Sequence, residues 1–147
     1  MKIYTDGATS NNGKQGARGG WAFVVVDGLR VLHKSAGFID NVTNNICELW
    51  AIIRACEYAM ANNYQEVTIY SDSAYCINCY TQGWYKKWEA NGWRTANKTP
   101  VANKELWMML IHYFKDSRFK FEKVSGHAGD RFNEMADELA VQARTVH

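Results

Sequence analysis

The sequence contains no long apolar segment, one proline and only four cysteines in 147 residues. No apolar run approaches the roughly 20 residues that a membrane-spanning helix needs, which argues against a membrane protein. The segment MKIYTDG lacks the apolar core of a signal peptide, so we expect a cytoplasmic setting in which the cysteines stay free thiols. A chain of this length needs no disulfide or structural metal, and we expect a single domain over residues 1–147.

Two of the cysteines, Cys76 and Cys79, form a C-x-x-C motif. Such a motif can bind zinc or exchange disulfides, but a zinc site needs a second pair of Cys or His ligands at suitable spacing. The sequence offers no second pair, and no Trp, Gly or Pro lies between the two cysteines. Because their spacing fits one face of a helix, we predict two buried helix thiols.

The net charge is only +2 and by itself predicts no polyanion partner. The cations are unevenly distributed, however. Between residues 84 and 104 there is one acid, Glu89, against five cations: Lys86, Lys87, Arg94, Lys98 and Lys104. The tryptophans of this basic segment, Trp84, Trp88 and Trp93, are either a stacking platform or, as is more common at helical spacing, a small hydrophobic core.

Hydrophobic periodicity divides the chain into alternating strands and helices. It predicts strands at 2–6, 66–72 and 118–124, a pair of strands within 20–38, and helices at 43–63, 73–80, 103–114 and 131–143, with a short helix around Trp84. The paired strands are joined at Asp27-Gly28, since Asp-Gly between apolar runs is the strongest short hairpin signal. The first 72 residues therefore have a strand–hairpin–helix–strand layout.

Three acids occupy related points of this layout. The first predicted strand ends on Asp6, the strand at 66–72 ends on Asp72, and Glu48 lies in the second turn of the helix between them. A right-handed crossover makes the two strands neighbours, with their carboxyl ends at the edge of the sheet where α/β proteins bind ligands. Each acid alone is better explained as a solvated side chain, and Asp72 equally well as a helix cap. Their shared position predicts a carboxylate cluster.

Converging carboxylates repel one another, so such a cluster must take up protons or bind cations. A divalent cation resolves the repulsion most simply. Oxygen ligands without an accompanying thiolate or histidine pair favour Mg²⁺ or Mn²⁺ over zinc. The sequence therefore predicts a site for one of these two cations.

Five motifs, in order, carry a family resemblance: YTDGA, TNNICEL, YSDSAY, the tryptophan-rich GWYKKWEANGWRTANKTPVANKELW, and GHAGDRFNEMADELA. Over residues 3–141 the chain resembles type 1 ribonuclease H. The resemblance implies an α/β fold with a mixed five-stranded sheet of three antiparallel strands and then parallel additions, helices on both faces and a basic helical protrusion. It also implies a metal-dependent endoribonuclease that hydrolyses the RNA strand of RNA/DNA hybrids, leaving 5′-phosphate and 3′-hydroxyl ends.

The resemblance further implies a catalytic set. Its four metal ligands would be Asp6, Glu48, Asp72 and Asp137, although Asp137 would otherwise be taken for an exposed helix acid. They would hold two Mg²⁺ ions, with Mn²⁺ as a substitute, one activating the attacking water and the other stabilising the leaving oxygen. His127, in a glycine-flanked loop, would assist proton transfer or product departure, as a pKa near 6.5 allows.

Hybrid recognition requires contact with the RNA 2′-hydroxyl, for which side-chain amides are suited. The resemblance assigns this contact to Asn44 and Asn45, which could also cap a helix, and we expect Asn12 in the glycine-rich loop to join them. It places Thr43 and Asn103 in a phosphate pocket for the DNA strand, and Trp84 against DNA sugars, with Trp88 and Trp93 as supports. Phosphate contacts would come from Lys86, Lys87, Arg94 and Lys98. We expect a monomer that binds a hybrid and no membrane.

Two other functions are compatible with such a fold. A catalytically silent hybrid-binding module would have no need for all four acids, so their presence argues against it, and binding without cleavage would favour it. A related metal-dependent DNA nuclease or strand-transfer domain is expected to lack the basic protrusion and the paired asparagines. Preferential cleavage of double-stranded DNA would support that second alternative.

Overall fold

The strands and helices follow the predicted order. The computed structural model describes residues 1–10, 17–40, 42–94, 102–124 and 130–145. The elements are β1 Lys2–Ser10, β2 Arg18–Asp27, β3 Arg30–Asp40, α1 Asn44–Ala61, β4 Val67–Ser71, α2 Ala74–Thr81, α3 Trp84–Ala90, α4 Lys104–Phe114, β5 Phe119–Lys123 and α5 Arg131–Thr145.

The five strands form one mixed sheet in the order β3-β2-β1-β4-β5. Strands β1, β2 and β3 are antiparallel neighbours, whereas β4 pairs parallel to β1 and β5 pairs parallel to β4. Helix α1 connects the antiparallel part to β4, which makes it the crossover between the parallel neighbours β1 and β4. The predicted fold class, three antiparallel strands followed by parallel additions, is confirmed.

The hairpin between β2 and β3 forms where the Asp-Gly signal predicted it. Asp27 pairs with Arg30, so the turn itself consists of Gly28 and Leu29. Gly28 has φ +63°, a left-handed conformation that glycine adopts without steric penalty and that fits the first position of a two-residue hairpin turn.

Helices cover both faces of the sheet because the strand side chains alternate between two apolar surfaces. On one face Ile3 and Val25 are packed with α1, and on the other Tyr4 and Val24 are packed with Phe132 of α5. Helix α4 adds the fully buried Trp107 to the core on the α1 side. The two helices most important for the site, α1 and α5, therefore approach β1 from opposite faces.

The prediction that the first strand ends on Asp6 is wrong. Strand β1 continues to Ser10 because β2 pairs with it along its full length, from Lys2 opposite Val26 to Ser10 opposite Arg18. Pairing with β4 on the other side stops at Tyr4 opposite Tyr70. Asp6 thus lies inside a strand, at the point where its parallel neighbour has ended.

All four cysteines, Cys47, Cys56, Cys76 and Cys79, are buried free thiols, and the last two lie on α2 as predicted. None of the helices in the described ranges combines the length and apolarity needed to cross a bilayer.

Candidate active site

The sheet brings three of the predicted acids together. Asp6, Glu48 and Asp72 each present a carboxylate oxygen, and the three oxygens lie within 4.8 Å of one another. Asp6 and Glu48 are only 3% and 4% exposed, whereas Asp72 is exposed. The cluster therefore has a buried floor and one carboxylate open to solvent.

A glycine next to Asp6 allows Glu48 to reach the cluster. The Gly7 N–H donates a hydrogen bond to Asp6 Oδ1 at 2.9 Å. A Cβ at Gly7 would lie 2.6 Å from the backbone carbonyl carbon of Cys47 and 2.7 Å from the nitrogen of Glu48. Real Cβ atoms do not approach backbone that closely, so the start of α1 can lie against β1 only because residue 7 lacks a side chain.

We expect Gly7→Ala to displace the start of α1 and to lower the hybrid cleavage that the family resemblance implies at least roughly tenfold, because Glu48 moves away from Asp6. Overpacking of this kind also destabilises by about 1–3 kcal/mol, which thermal unfolding will show. Gly28→Ala is the matched control. It strains the backbone at φ +63°, but its added Cβ would have no other atom within 4 Å, so it displaces no neighbouring element. Equal activity per folded molecule in the two variants would contradict this role of Gly7.

The helix cap that the sequence allowed at Asp72 is formed by another residue. Ser73 occupies the N-cap of α2, and its side chain accepts a hydrogen bond from the Cys76 N–H at 3.2 Å. Ser71 Oγ in turn accepts from the Ser73 N–H at 3.1 Å. The serines on either side of Asp72 thus form the turn into α2, and the Asp72 carboxylate is not needed for it.

The cluster favours protonated carboxyls. Burial, followed by the negative charge of Asp72, raises the pKa of Asp6 to about 7. Burial and the charges of Asp6 and Asp72 raise the pKa of Glu48 well above its ordinary value. Burial and the charge of Asp137 raise the pKa of Asp72, an effect that Lys123 opposes. At neutral pH the cluster is therefore stabilised when it takes up protons or binds a cation.

The donor set suits a divalent cation. Glu48 Oε2 is buried and has no hydrogen-bond partner among the residues that the structure describes. An unpartnered buried carboxylate oxygen is unfavourable unless a cation or proton satisfies it. The close group contains only carboxylate oxygens, the ligands that Mg²⁺ and Mn²⁺ prefer.

A fourth acid approaches from the opposite helix. Asp137 is exposed on α5, and a side-chain hydrogen bond with it contributes to the raised pKa of Asp6. Its charge also acts on Asp72. All four acids named from the sequence thus meet at one place, with Asp137 beside the close group of three. Two other predicted site residues, His127 and Asn12, lie outside the described residues.

A pocket of about 460 Å³ lies between the starts of α1 and α4. It is lined by Thr43, Asn44, Asn45, Ala102 and Asn103. Thr43 also caps α1, because its hydroxyl oxygen accepts from the Ile46 N–H at 3.3 Å. The structure therefore brings together four polar side chains that the resemblance assigned to substrate contacts, three shortly before Glu48 and one more than 50 residues after it.

The basic protrusion is built on a small tryptophan core. The Trp88 ring lies 5.8 Å from that of Trp93 and 5.4 Å from that of the buried Trp107. Trp84 is half-buried, and its Nε1–H donates to Gln82 Oε1 at 3.1 Å. Exposed cations surround this core at Lys86, Lys87 and Arg94, while Lys98 lies outside the described residues.

Sequence reasoning missed two residues that shape the site. Gly7 was visible only as the second half of an Asp-Gly pair, and its close approach to α1 requires the folded structure. Lys123 ends β5 opposite Ser71, close enough for its charge to favour ionised Asp72. A cation at the carboxyl end of a predicted parallel strand was the available signal, because that end faces the ligand edge of the sheet.

Comparison with known proteins identifies the family. The family model RNase H matches residues 1–145. The chain belongs to the ribonuclease H family. A protein named Ribonuclease H from Syntrophomonas wolfei is 43% identical over 141 residues, covering 96% of this chain and 93% of its own. Ribonuclease H of Caldicellulosiruptor saccharolyticus is 43% identical over 139 residues, covering 94% and 91%.

A solved ribonuclease H has the same architecture. LC11-RNase H1 in complex with an RNA/DNA hybrid superposes with a TM-score of 0.73 at 26% identity, covering 98% of this chain and 96% of that one. The resemblance drawn from the five motifs is confirmed at the level of family and fold. As a member of this family the chain is a metal-dependent endoribonuclease of the ribonuclease H type.

Proposed function

We propose that this ribonuclease H hydrolyses the RNA strand of RNA/DNA hybrids with two Mg²⁺ ions, leaving 5′-phosphate and 3′-hydroxyl ends. The observation that carries the proposal is the meeting of Asp6, Glu48 and Asp72 within 4.8 Å at the ligand edge of the sheet. The related LC11-RNase H1 structure contains an RNA/DNA hybrid in complex with the protein, which supports a hybrid as the ligand here.

The cations would be held by the four carboxylates. Asp6 and Glu48 form the buried floor, where the unpartnered Glu48 Oε2 is available as a ligand. Asp72 and Asp137 are exposed and would face the incoming phosphate. When bound, two divalent cations would supply the positive charge that activates a water nucleophile and stabilises the leaving 3′ oxygen. We propose Mg²⁺ as the preferred ion and Mn²⁺ as a substitute.

The protein itself supplies position and proton control. The rigid sheet fixes Asp6, and the close contact of α1 with Gly7 fixes Glu48, so the ligands need little rearrangement on binding. Lys123, next to Asp72, adds positive charge where a phosphate would lie. We also propose that His127 carries a proton during the reaction or product departure, a supporting role whose loss is less damaging than the loss of Asp6 or Asp72.

Discrimination of a hybrid would come from both strands. Asn44 and Asn45, at the start of α1 near Glu48, offer donors and acceptors for RNA 2′-hydroxyls, and we assign Asn12 to the same task. Thr43 and Asn103 would hold a phosphate of the DNA strand in the pocket of about 460 Å³. The protrusion would bind the DNA strand farther along, with Trp84 against sugars and phosphate contacts from Lys86, Lys87, Arg94 and Lys98.

The proposal extends to residues 1–147 as one domain, acting as a monomer in the cytoplasm. The shared sheet and the helices on its two faces support a single folding unit.

The test is cleavage of an end-labelled RNA/DNA duplex with Mg²⁺, with and without EDTA, beside matched RNA/RNA and DNA/DNA duplexes. We expect cleavage of the RNA strand of the hybrid alone, abolished by EDTA, with products that carry a 5′-phosphate. Binding without cleavage would show a silent hybrid-binding module, and preference for the DNA duplex would show a DNA nuclease.

Two tryptophan variants distinguish a residue that binds the hybrid from one that stabilises the protrusion. Trp84→Ala is expected to raise KM for the hybrid roughly tenfold with little change in kcat, because a half-buried ring that meets sugars is lost. Trp88→Ala should instead lower Tm, because Trp88 packs on Trp93 and Trp107. Steady-state kinetics and thermal unfolding of both variants make the comparison. A pure loss of stability in Trp84→Ala would place that ring in the core.

A further inference from the structure

The side chains that β4 and β5 turn toward the face of α5 are open to solvent. Helix α5 packs on β1, β2 and β3. The apolar side chains of β4 and β5, among them Ile69 and Phe121, join the core on the opposite face, under α1. Because side chains alternate along a strand, the residues between them point to the α5 face, where Thr68 is half-buried and Lys120 is exposed. A polar strip of sheet thus lies beside α5.

Two lysines flank a threonine across this strip. Lys2 of β1 lies opposite Thr68 of β4, and Thr68 lies opposite Lys120 of β5. Ile3 packs with α1, so its neighbour Lys2 points to the same face as the other two. Neighbouring strands are about 4.8 Å apart, so both ammonium groups can reach an anion above the threonine hydroxyl, one from each side.

The charge at this row is predominantly positive. The row borders a cavity of about 280 Å³, which Arg118 and Glu66 also line. Arg118 already binds Asp116 at 3.1 Å. Lys2 and Lys120 form no ion pair within the described part of the chain, and Glu66 is the acid that opposes them. A phosphate group would therefore meet two ammonium groups that lack a counter-ion.

An aromatic pair connects the lysine row to the carboxylate cluster. The half-buried Tyr70 stacks on Tyr4, with ring centroids 4.7 Å apart and planes at 13°. Lys2 Nζ lies 5.9 Å from the centre of the Tyr70 ring, so cation and ring form one surface. Asp72 of the cluster follows Tyr70 by two residues. Along β1, the four residues from Lys2 to Asp6 span about 13 Å, a distance that a few nucleotides of a single strand cover.

The strand that can reach this surface is the cleaved one. Asp72 is the exposed member of the close group and would meet the RNA strand. The pocket assigned to the DNA strand lies at the starts of α1 and α4, two helices that pack on the opposite face of the sheet. An RNA strand that continues past Asp72 along β4 arrives at Tyr70 and then at the lysines. A single strand, unlike a duplex, offers free bases that can stack on an aromatic ring.

We propose that the face formed by Lys2, Thr68, Tyr70 and Lys120 binds single-stranded RNA where the cleaved strand extends beyond the hybrid. The lysines hold its phosphates, and Tyr70 stacks on a base without regard to sequence. Hybrids that carry such an RNA extension are the preferred substrates of this chain. This inference rests on the proposed hybrid cleavage and specifies which hybrids bind best.

The first test is fluorescence anisotropy in EDTA, where no cleavage interferes with binding. It compares a blunt hybrid with the same hybrid whose RNA strand is extended by about six nucleotides at its 5′ or its 3′ end. We expect an extension at one of the two ends to lower Kd roughly three- to tenfold. The dependence of log Kd on log salt should steepen by about 1.4 for that hybrid, because two further phosphates of a single strand are neutralised.

Variants then locate the effect. The double variant Lys2→Gln with Lys120→Gln should bind extended and blunt hybrids equally, with Kd for the blunt hybrid within about twofold of the parent value. Tyr70→Leu should reduce the preference at least roughly twofold, because the stacking surface is lost. The matched control, Arg30→Gln with Lys34→Gln, removes two exposed cations from β3 at the far edge of the sheet and should keep the full preference. Each preference is a ratio measured on one variant, so a loss of stability affects both hybrids alike.

Three results would overturn the inference. The parent protein could bind extended and blunt hybrids equally, an extension of the DNA strand could strengthen binding as much as one of the RNA strand, or the double lysine variant could keep the preference. Failure of the proposed function is a different result, because the parent protein would then leave the blunt hybrid uncut in Mg²⁺ whatever its binding in EDTA.

Discussion

Asp6→Asn is expected to reduce kcat for hybrid cleavage by at least about a thousandfold, equivalent to roughly 4 kcal/mol of transition-state stabilisation. The substitution keeps the size of the side chain but removes a negative charge and an ionised ligand oxygen from the buried floor of the cluster. The Asp6 carboxyl interacts with the carboxyls of both Glu48 and Asp137. Single-turnover cleavage of a labelled hybrid at saturating Mg²⁺ measures the effect.

The matched control is Glu138→Gln, which neutralises an exposed acid on α5 next to Asp137. It should leave kcat within about twofold, because no described contact links Glu138 to the cluster. Asp6→Asn should remain folded, as thermal unfolding will show. Retention of more than a tenth of the parent kcat would mean that the cluster is not the site of catalysis.

In the absence of divalent cations, the free energy of unfolding is expected to fall as pH rises from about 4 to about 7. The pKa of Asp6 is raised from 3.8 to about 7 in the folded protein, first by burial and then by Asp72. In this window the native state holds a proton that the unfolded state has released, so increasing pH favours unfolding. The contribution is roughly 1–4 kcal/mol for Asp6, and the raised pKa of Glu48 acts in the same direction.

Denaturant unfolding in EDTA at several pH values measures this effect, with Asp6→Asn as the reference. The variant should equal the parent near pH 4 and exceed it in stability above pH 7, because asparagine cannot ionise. Adding Mg²⁺ at pH 8 should raise the Tm of the parent and have a much smaller effect on Asp6→Asn. A parent protein that becomes relatively more stable than the variant between pH 4 and 7 would contradict the electrostatics of the site.

The meeting of Asp6, Glu48 and Asp72 was predictable because each lies at a position that chain topology fixes. A right-handed crossover between parallel strands leaves little freedom for where β4 ends relative to β1. The position of Asp6 was right although the predicted end of its strand was wrong. Local sequence indicates where one strand pattern weakens, but the length of β1 is set by β2, which pairs with it as far as Ser10.

Other features depend on packing that no local pattern encodes. Asp137 was assigned only through the family resemblance, since its approach to Asp6 depends on how α5 lies across the sheet. From sequence Asp72 was a candidate cap of α2, and the structure shows that Ser73 is the cap.

The packing of the tryptophans was partly predictable from their spacing in the sequence and partly not. Their spacing indicated a small core more readily than a stacking platform, and Trp88 and Trp93 do pack toward Trp107. The assignment of Trp84 to DNA sugars remains a prediction. Its ring is half-buried, so one side can pack on the protein while the other contacts a ligand.

The most direct test of the site is anomalous scattering from crystals of the Asp6→Asn variant and the parent protein, each grown with a hybrid and Mn²⁺. The parent, with a non-cleavable RNA linkage at the cut site, should show Mn²⁺ peaks within ligand distance of Asp6, Glu48 and Asp72, and the variant should lose or weaken them. Two results together would contradict the account: Mn²⁺ peaks only elsewhere on the parent protein, with none near these carboxylates, and normal cleavage of the unmodified hybrid by the same protein in solution.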